Sequence, residues 1–198
     1  MEALAMRLLL IGPPGSGKGT QGSALSEKFG VEHIAAGDLL REEVESGSPL
    51  GKQVGGYLER GELVPDEPII DLVMPKVLAA AADTGYVLDG FPRSVGQAVE
   101  ARRLAEQEDS AVTAAVFLAA PEDELVDRLL KRAETEGRSD DTAEAILTRL
   151  RVFKEVTEPL LGFYADRGLL HVVDATQPVG DVTAAIIDAL ENAGGQRR

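Results

Sequence analysis

Short apolar runs alternate with longer amphipathic stretches from one end of the 198-residue chain to the other. That alternation predicts strands separated by helices, and therefore an α/β fold around a five-stranded parallel sheet covered on both faces. The strands are expected near Arg7–Ile11, Glu32–Ile34, Tyr86–Leu88, Thr113–Leu118 and Leu169–Val173, with helices between and after them. The first apolar run, Leu8–Ile11, is too short for a signal-peptide core or a membrane span and leads into a glycine-rich loop, so it reads as a buried strand. Two stretches depart from the repeating unit. Gly37–Val64 is polar and glycine-containing and predicts a small helical insertion, whereas Ala133–Asp141 reads as a short polar loop; both have the character of movable flaps. Asp141 and Glu144 stand at capping-box spacing, which predicts a helix starting with Asp141 as its cap, Arg138 on the loop before it and Arg149 two turns inside. No internal repeat or low-complexity tract is visible, and the tail Gly194–Arg198 is expected to fray. Met6 offers a second start directly before the first strand, which would make residues 1–5 dispensable.

Composition narrows the possible partners. A length of 198 residues fits one globular domain, and 44% hydrophobic residues suffice for a real core. The net charge of −14 should repel nucleic acids and anionic membranes unless cations are locally concentrated. With no cysteine in the sequence, disulfides and thiolate metal sites are excluded, which is compatible with a reducing, cytoplasmic setting.

The chemistry concentrates first in Gly12-Pro13-Pro14-Gly15-Ser16-Gly17-Lys18-Gly19-Thr20, between the first strand and the first helix. Glycines here allow backbone angles that let successive N–H groups converge on phosphate oxygens at the positive end of the helix, and Lys18 adds a point charge toward the outer phosphates. An ordinary glycine-rich turn would not need the lysine at this spacing, so the segment reads as a nucleotide-binding P-loop. The residue after Lys18 is Gly19 rather than Ser or Thr, which puts direct hydroxyl ligation of magnesium in doubt.

Fourteen of the twenty basic residues are arginine. Phosphoryl transfer between two anionic nucleotides needs charge stabilisation and alignment, and the guanidinium fork suits phosphate oxygens. Arg128 and Arg132 stand four apart on the helix expected after Pro121 and share a face. Taken singly, each arginine reads more readily as a solvated surface charge than as a ligand. Asp89 ends an apolar strand on the sheet that carries the P-loop, where ligands gather, although Asp89-Gly90 is also the makings of a simple turn. His33 and His171 lie near strands and need no catalytic role.

The loop variant and five further motifs together resemble the nucleoside monophosphate kinases, and among them the adenylate kinases, over nearly the whole chain. The motifs are Ala36-Gly37-Asp38-Leu39-Leu40-Arg41, Gly61-Glu62-Leu63-Val64-Pro65, Leu88-Asp89-Gly90-Phe91-Pro92-Arg93 with Gln97, Asp127-Arg128 with Arg132, and Arg138-Ser139-Asp140-Asp141 with Arg149. The resemblance implies a three-layer P-loop kinase domain with core segments 1–34, 65–132 and 142–198, an NMP-binding insertion at 35–64 and a short lid at 133–141. It further implies ATP and AMP as substrates and ADP as product. On the donor side, Gly15, Ser16, Gly17, Lys18, Gly19 and Thr20 would hold the ATP phosphates, Arg128 would lie against the adenine, Arg132 would reach the phosphates, and Gln177 would offer its backbone to the base. On the acceptor side, Arg41 and Arg93 would hold the AMP phosphate, with Ala36, Glu62, Leu63, Val64, Gly90, Phe91 and Pro92 around the nucleotide and Gln97 on the adenine edge. Arg138 and Arg149 would bridge to the transferring group, and Lys18, Arg93, Arg132, Arg138 and Arg149 would form the catalytic set. Magnesium would enter with ATP and be held by Asp89 through water, and Phe91–Pro92 would be cis. A monomer is the expected state.

Two departures refine the resemblance. Only residues 133–137 separate Arg132 from Arg138, so the chain resembles the short-lid type and no structural zinc is expected. Ala35-Ala36 stands where adenylate kinases usually have Ser-Thr, and UMP/CMP kinases share the alanine at the second position, whereas Gln97 matches the adenylate kinases. Losing one hydroxyl costs about 0.5–1.5 kcal/mol, while an unpaired buried amide penalises the wrong base more. AMP is therefore the expected acceptor, with relaxed selectivity and a pyrimidine monophosphate kinase as the alternative. A nonenzymatic P-loop sensor is more distant, since no Asn-Lys-x-Asp base-reading motif is present.

Overall fold

The computed structural model describes residues 6–136 and 142–195. Five strands, β1 (Met6–Ile11), β2 (Glu32–Ala35), β3 (Gly85–Asp89), β4 (Ala114–Ala119) and β5 (Leu170–Asp174), form one all-parallel sheet in the order β2-β3-β1-β4-β5. Each expected strand falls within one residue of an observed one. The helices are α1 (Lys18–Phe29), α2 (Ala36–Glu45), α3 (Pro49–Arg60), α4 (Asp66–Asp83), α5 (Val95–Gln107), α6 (Glu122–Glu136), α7 (Ala143–Val152), α8 (Leu160–Ala165) and α9 (Val179–Gly195), with a π turn over Phe153–Thr157 joining α7 to α8.

The continuous apolar run of β1 is explained by burial on both faces. Leu9 and Ile11 belong to the core on one side of the sheet, with Leu88, Val73, Val77 and Leu160, and Leu8 and Leu10 belong to the core on the other, with Leu25, Val116 and Ile186. Each such side chain contributes roughly 1.5–3 kcal/mol through removal of its apolar surface from water. Two cores separated by one sheet make the three layers inferred from the sequence. The chain visits β3 on one side of β1 and β4 on the other, so β1 is the switch point, and a crevice opens beyond its carboxyl end.

The helical insertion expected between Gly37 and Val64 consists of α2 and α3. Ser48 caps α3 by accepting from Gly51 N at 2.8 Å, and Pro49 occupies the first turn, where its missing N–H costs nothing. A Cβ at Gly51 would stand 2.0 Å from the Glu43 carbonyl oxygen, so the close crossing of α2 and α3 requires glycine there.

Two expectations are corrected around residues 133–142. The first four residues of the expected loop extend α6 through Glu136, because Ala133, Glu134 and Glu136 favour helix and the Thr135 hydroxyl turns back to the Lys131 and Arg132 carbonyls at 3.0 and 3.3 Å. Helix α7 is capped by Thr142 rather than Asp141. Its hydroxyl accepts from Ala145 N at 3.2 Å, and a threonine preceding Ala143-Glu144 serves the cap one residue later than the capping-box spacing suggested.

Candidate active site

Segment 12–20 turns from β1 into α1 beneath the mouth of a cleft of about 910 Å³ that runs along the carboxyl ends of the strands. Gly15 has φ 84°, and a Cβ there would lie 2.7 Å from the Leu125 carbonyl and 3.1 Å from Leu129 Cγ. The loop thus sits directly on α6, the helix that carries Arg128 and Arg132. Helix α1 starts at Lys18 behind Gly17 with no side-chain cap, leaving its first amide groups to a ligand. Lys18 Nζ donates to the Gly12 and Pro13 carbonyls at 2.9 and 3.1 Å. Burial pulls its pKa down to about 8, against the attraction of Asp89 and with added repulsion from Arg93 and Arg132. Because the cation is the form that meets phosphate, Lys18 loses its charge as pH rises through that value. Catalytic efficiency toward ATP is therefore expected to fall above about pH 8, whereas kcat holds to higher pH because bound phosphate restores the lysine's affinity for its proton; steady-state pH profiles measure both.

The opposite lobe is lined by Arg41 from α2, Glu62 and Leu63 after α3, Gly90, Pro92 and Arg93 after β3, and Arg149 from α7. Phe91–Pro92 is cis, as the resemblance implied. Arg93 Nε donates to the Gly90 carbonyl at 2.7 Å, and burial first, then Arg149 and Arg41, lower its pKa against Asp89. Arg41 pairs with Asp38 in the same helix, and Arg149 Nη2 lies 3.5 Å from the Leu58 carbonyl. Lys18, Arg41, Arg93, Arg132 and Arg149 therefore converge on one cavity of a protein whose net charge is −14, with Asp89 as the carboxylate that offsets Lys18 and Arg93. Such a field is costly in the empty protein and suits a polyanion.

At the end of the cleft beside α6, Arg128 Nη2 donates to the Ala175 carbonyl at 2.8 Å and pairs with Glu124, and Gln177 lines the same end. Glu62 is paired with Arg60 at 2.8 Å on an exposed surface. Four residues carried over from the resemblance do not line the cleft: Ala36, Val64, Phe91 and Gln97 are 1%, 6%, 0% and 2% exposed. Gln97 is engaged internally. Its Oε1 accepts from Arg93 N at 2.7 Å, and its Nε2 donates to Asp66 Oδ1 at 2.8 Å. Arg138 lies outside the described residues. Conversely, Lys131, Thr135 and Thr157 line the cleft without having been singled out. Lys131 and Thr135 follow from the helical phase of Arg128 and Arg132, but nothing in the sequence connects Thr157 with Arg93.

A family model described as adenylate kinase matches residues 10–169. Among curated proteins, the adenylate kinase of Thermus thermophilus is 43% identical over 183 residues, covering 92% of this chain and 96% of its own length. That of Micrococcus luteus is 42% identical over 184 residues, with 93% and 90% covered, and that of a Cyanothece species 42% over 191 residues, with 96% and 98% covered. A phosphate-binding loop, a two-lobed cationic cleft and near-complete coverage by these relatives agree: the chain belongs to the adenylate kinase family, phosphotransferases acting on nucleoside monophosphates.

Proposed function

We propose that ATP lies along the P-loop, Arg128 and Arg132, that AMP lies in the lobe of Arg41, Arg93 and Arg149, and that the γ-phosphoryl group passes between them to give two ADP. The observation that carries this reading is the convergence of Lys18 and four arginines from five separate chain segments on one cleft. The bond from the γ-phosphorus to the β–γ bridging oxygen breaks as a bond forms from an oxygen of the AMP phosphate. That oxygen is already ionised, so no acid or base is required, and the residues contribute alignment and charge. Lys18 and the loop amides steady the charge that builds on the ADP leaving group. Arg93 with Arg41 holds the attacking phosphate, and Arg132 and Arg149 face the group in transit.

The residues present suit magnesium delivered with ATP. Asp89 Oδ1 is buried without a hydrogen-bond partner among the described residues, and Lys18 is close enough to feel its charge. Magnesium commonly keeps several waters and is bound through one or two carboxylates, a role one buried carboxylate suits. Asp89 would hold the ion through water, and magnesium there would supply positive charge to the phosphate oxygens.

In this reading helices α2–α3 act as a flap over the acceptor lobe and shut out water that would otherwise hydrolyse ATP. A monomer completes this reading, and a cysteine-free, acidic composition suits the cytoplasm. No helix among the described residues is long and apolar enough to cross a membrane.

AMP is the preferred acceptor. Gln97, buried behind the cleft and bonded to Arg93 N and Asp66 Oδ1, retains one N–H and one lone pair, so this reading requires the acceptor lobe to open onto it before an adenine edge pairs there. A pyrimidine monophosphate acceptor is favoured by one observation, the buried Ala36 at the first position of α2, where no hydroxyl is available. A coupled assay of ATP and magnesium with AMP, dAMP, GMP, UMP and CMP decides. The expected result is the highest kcat/KM with AMP. If UMP or CMP leads, Ala36 is the decisive reader, and Ala36→Thr should then depress pyrimidine turnover; if no acceptor reacts with folded, ATP-binding protein, the assignment fails.

A further inference from the structure

Arg93 is held at three points, and one of the holders lies far away in sequence. Its N–H is taken by Gln97 and its Nε by Gly90, and its carbonyl accepts from the Thr157 hydroxyl at 2.8 Å. Thr157 is 7% exposed, lines the cleft, and is the last residue of the π turn Phe153–Thr157. A threonine in a helical segment ordinarily returns its hydroxyl to a carbonyl of its own preceding turn. This one reaches across to the loop after β3. The π turn explains how: widening the helix by one residue rotates the next turn by about 100° relative to an uninterrupted α-helix. The same continuous segment carries Arg149 on α7, whose charge acts on Arg93. The π turn therefore ties the backbone of one arginine to the helix that bears another.

We infer that Thr157 is a positioning residue for the acceptor lobe, holding the Arg93 backbone so that its guanidinium points at the acceptor phosphate. The inference rests on the reading of Arg93 as an acceptor-phosphate ligand. It acts through Arg93 alone, so its loss should fall on the acceptor and spare the donor, which a general packing role would not do.

The test is a double-mutant cycle of Thr157→Val and Arg93→Ala, with Thr157→Ser as the conservative control and thermal melting as the check of folding. Thr157→Val, nearly isosteric, leaves the buried carbonyl without its donor and is expected to lower kcat/KM for AMP about tenfold, with KM for ATP changed by less than about twofold. Thr157→Ser should restore most of the loss, and Thr157→Val should add little in the Arg93→Ala background. Where valine is not accommodated, Thr157→Ala takes its place in the cycle. Unchanged AMP kinetics in folded Thr157→Val, an equal loss toward ATP, or full additivity with Arg93→Ala would overturn the inference. If Arg93→Ala itself leaves AMP kinetics untouched, it is the acceptor reading of Arg93 that fails, a result distinguishable from failure at Thr157 alone.

Discussion

Lys18→Ala is expected to lower kcat with ATP and AMP by about 10²- to 10³-fold, the loss associated with removing one preorganised group that stabilises transition-state charge. Lys18 has two functions that the substitution removes together. It is a buried cation at the phosphate loop, and in this structure it spans the loop through the Gly12 and Pro13 carbonyls. Rapid-quench and steady-state assays should show the deficit in the chemical step, while a nonhydrolysable ATP analogue still binds, by calorimetry, with an affinity reduced far less than kcat. Lys18→Arg should not rescue, because a planar fork cannot replace a compact ammonium in a site closed by Gly12 and Pro13. A Lys18→Ala protein with more than about a tenth of the original kcat would remove the lysine from the mechanism; no preorganised charge of this kind is worth so little.

Arg93→Ala is expected to lower kcat/KM for AMP at least about thirtyfold, corresponding to the lower end of the 2–5 kcal/mol lost when one partner of a buried, hydrogen-bonded charge pair is truncated. Its effect on KM for ATP should be small, since Arg128, Arg132 and the P-loop form the other lobe. Stability should move the opposite way from activity. Burial and the guanidiniums of Arg149 and Arg41 already penalise the Arg93 charge in the nucleotide-free protein, so removing it relieves repulsion. Melting without nucleotide is therefore expected to stay level or rise, whereas the extra stabilisation conferred by AMP should shrink with its affinity. A marked drop in melting temperature together with normal AMP kinetics would make Arg93 a structural residue.

Glu62 illustrates why contact alone does not rank the acceptor residues. Its pair with Arg60 is short but largely solvated, with 56% and 44% of the two side chains exposed, so it contributes little to stability.

Local chemistry accounts for most of what could be read without coordinates. The strands were legible because β1 and its neighbours are buried on both faces and so are apolar throughout, and the P-loop because glycine spacing and a lysine are local requirements of a phosphate cradle. The insertion at 37–64 is legible as helical from its polar, glycine-containing composition, which departs from the apolar-amphipathic alternation of the core. The cap of α7 was misplaced by one residue because Asp141 and Thr142 are both good caps, and only the path of the backbone chooses between them. The end of α6 was misread because a polar helix tip and a polar loop have the same composition.

The sequence alone determined the fold class, the nucleotide loop and the arginine-rich chemistry, since each depends on residues close together in the chain. Tertiary structure alone decided how the cations share one cleft, that burial lowers the pKa of Lys18 and Arg93, and that the Gln97 amide is already bonded to Arg93 and Asp66. It also decided that Thr157, 64 residues from Arg93, holds that arginine's carbonyl. Burial and charge coupling depend on distances between segments that are remote in sequence, and no local pattern of hydrophobic and polar residues encodes those distances.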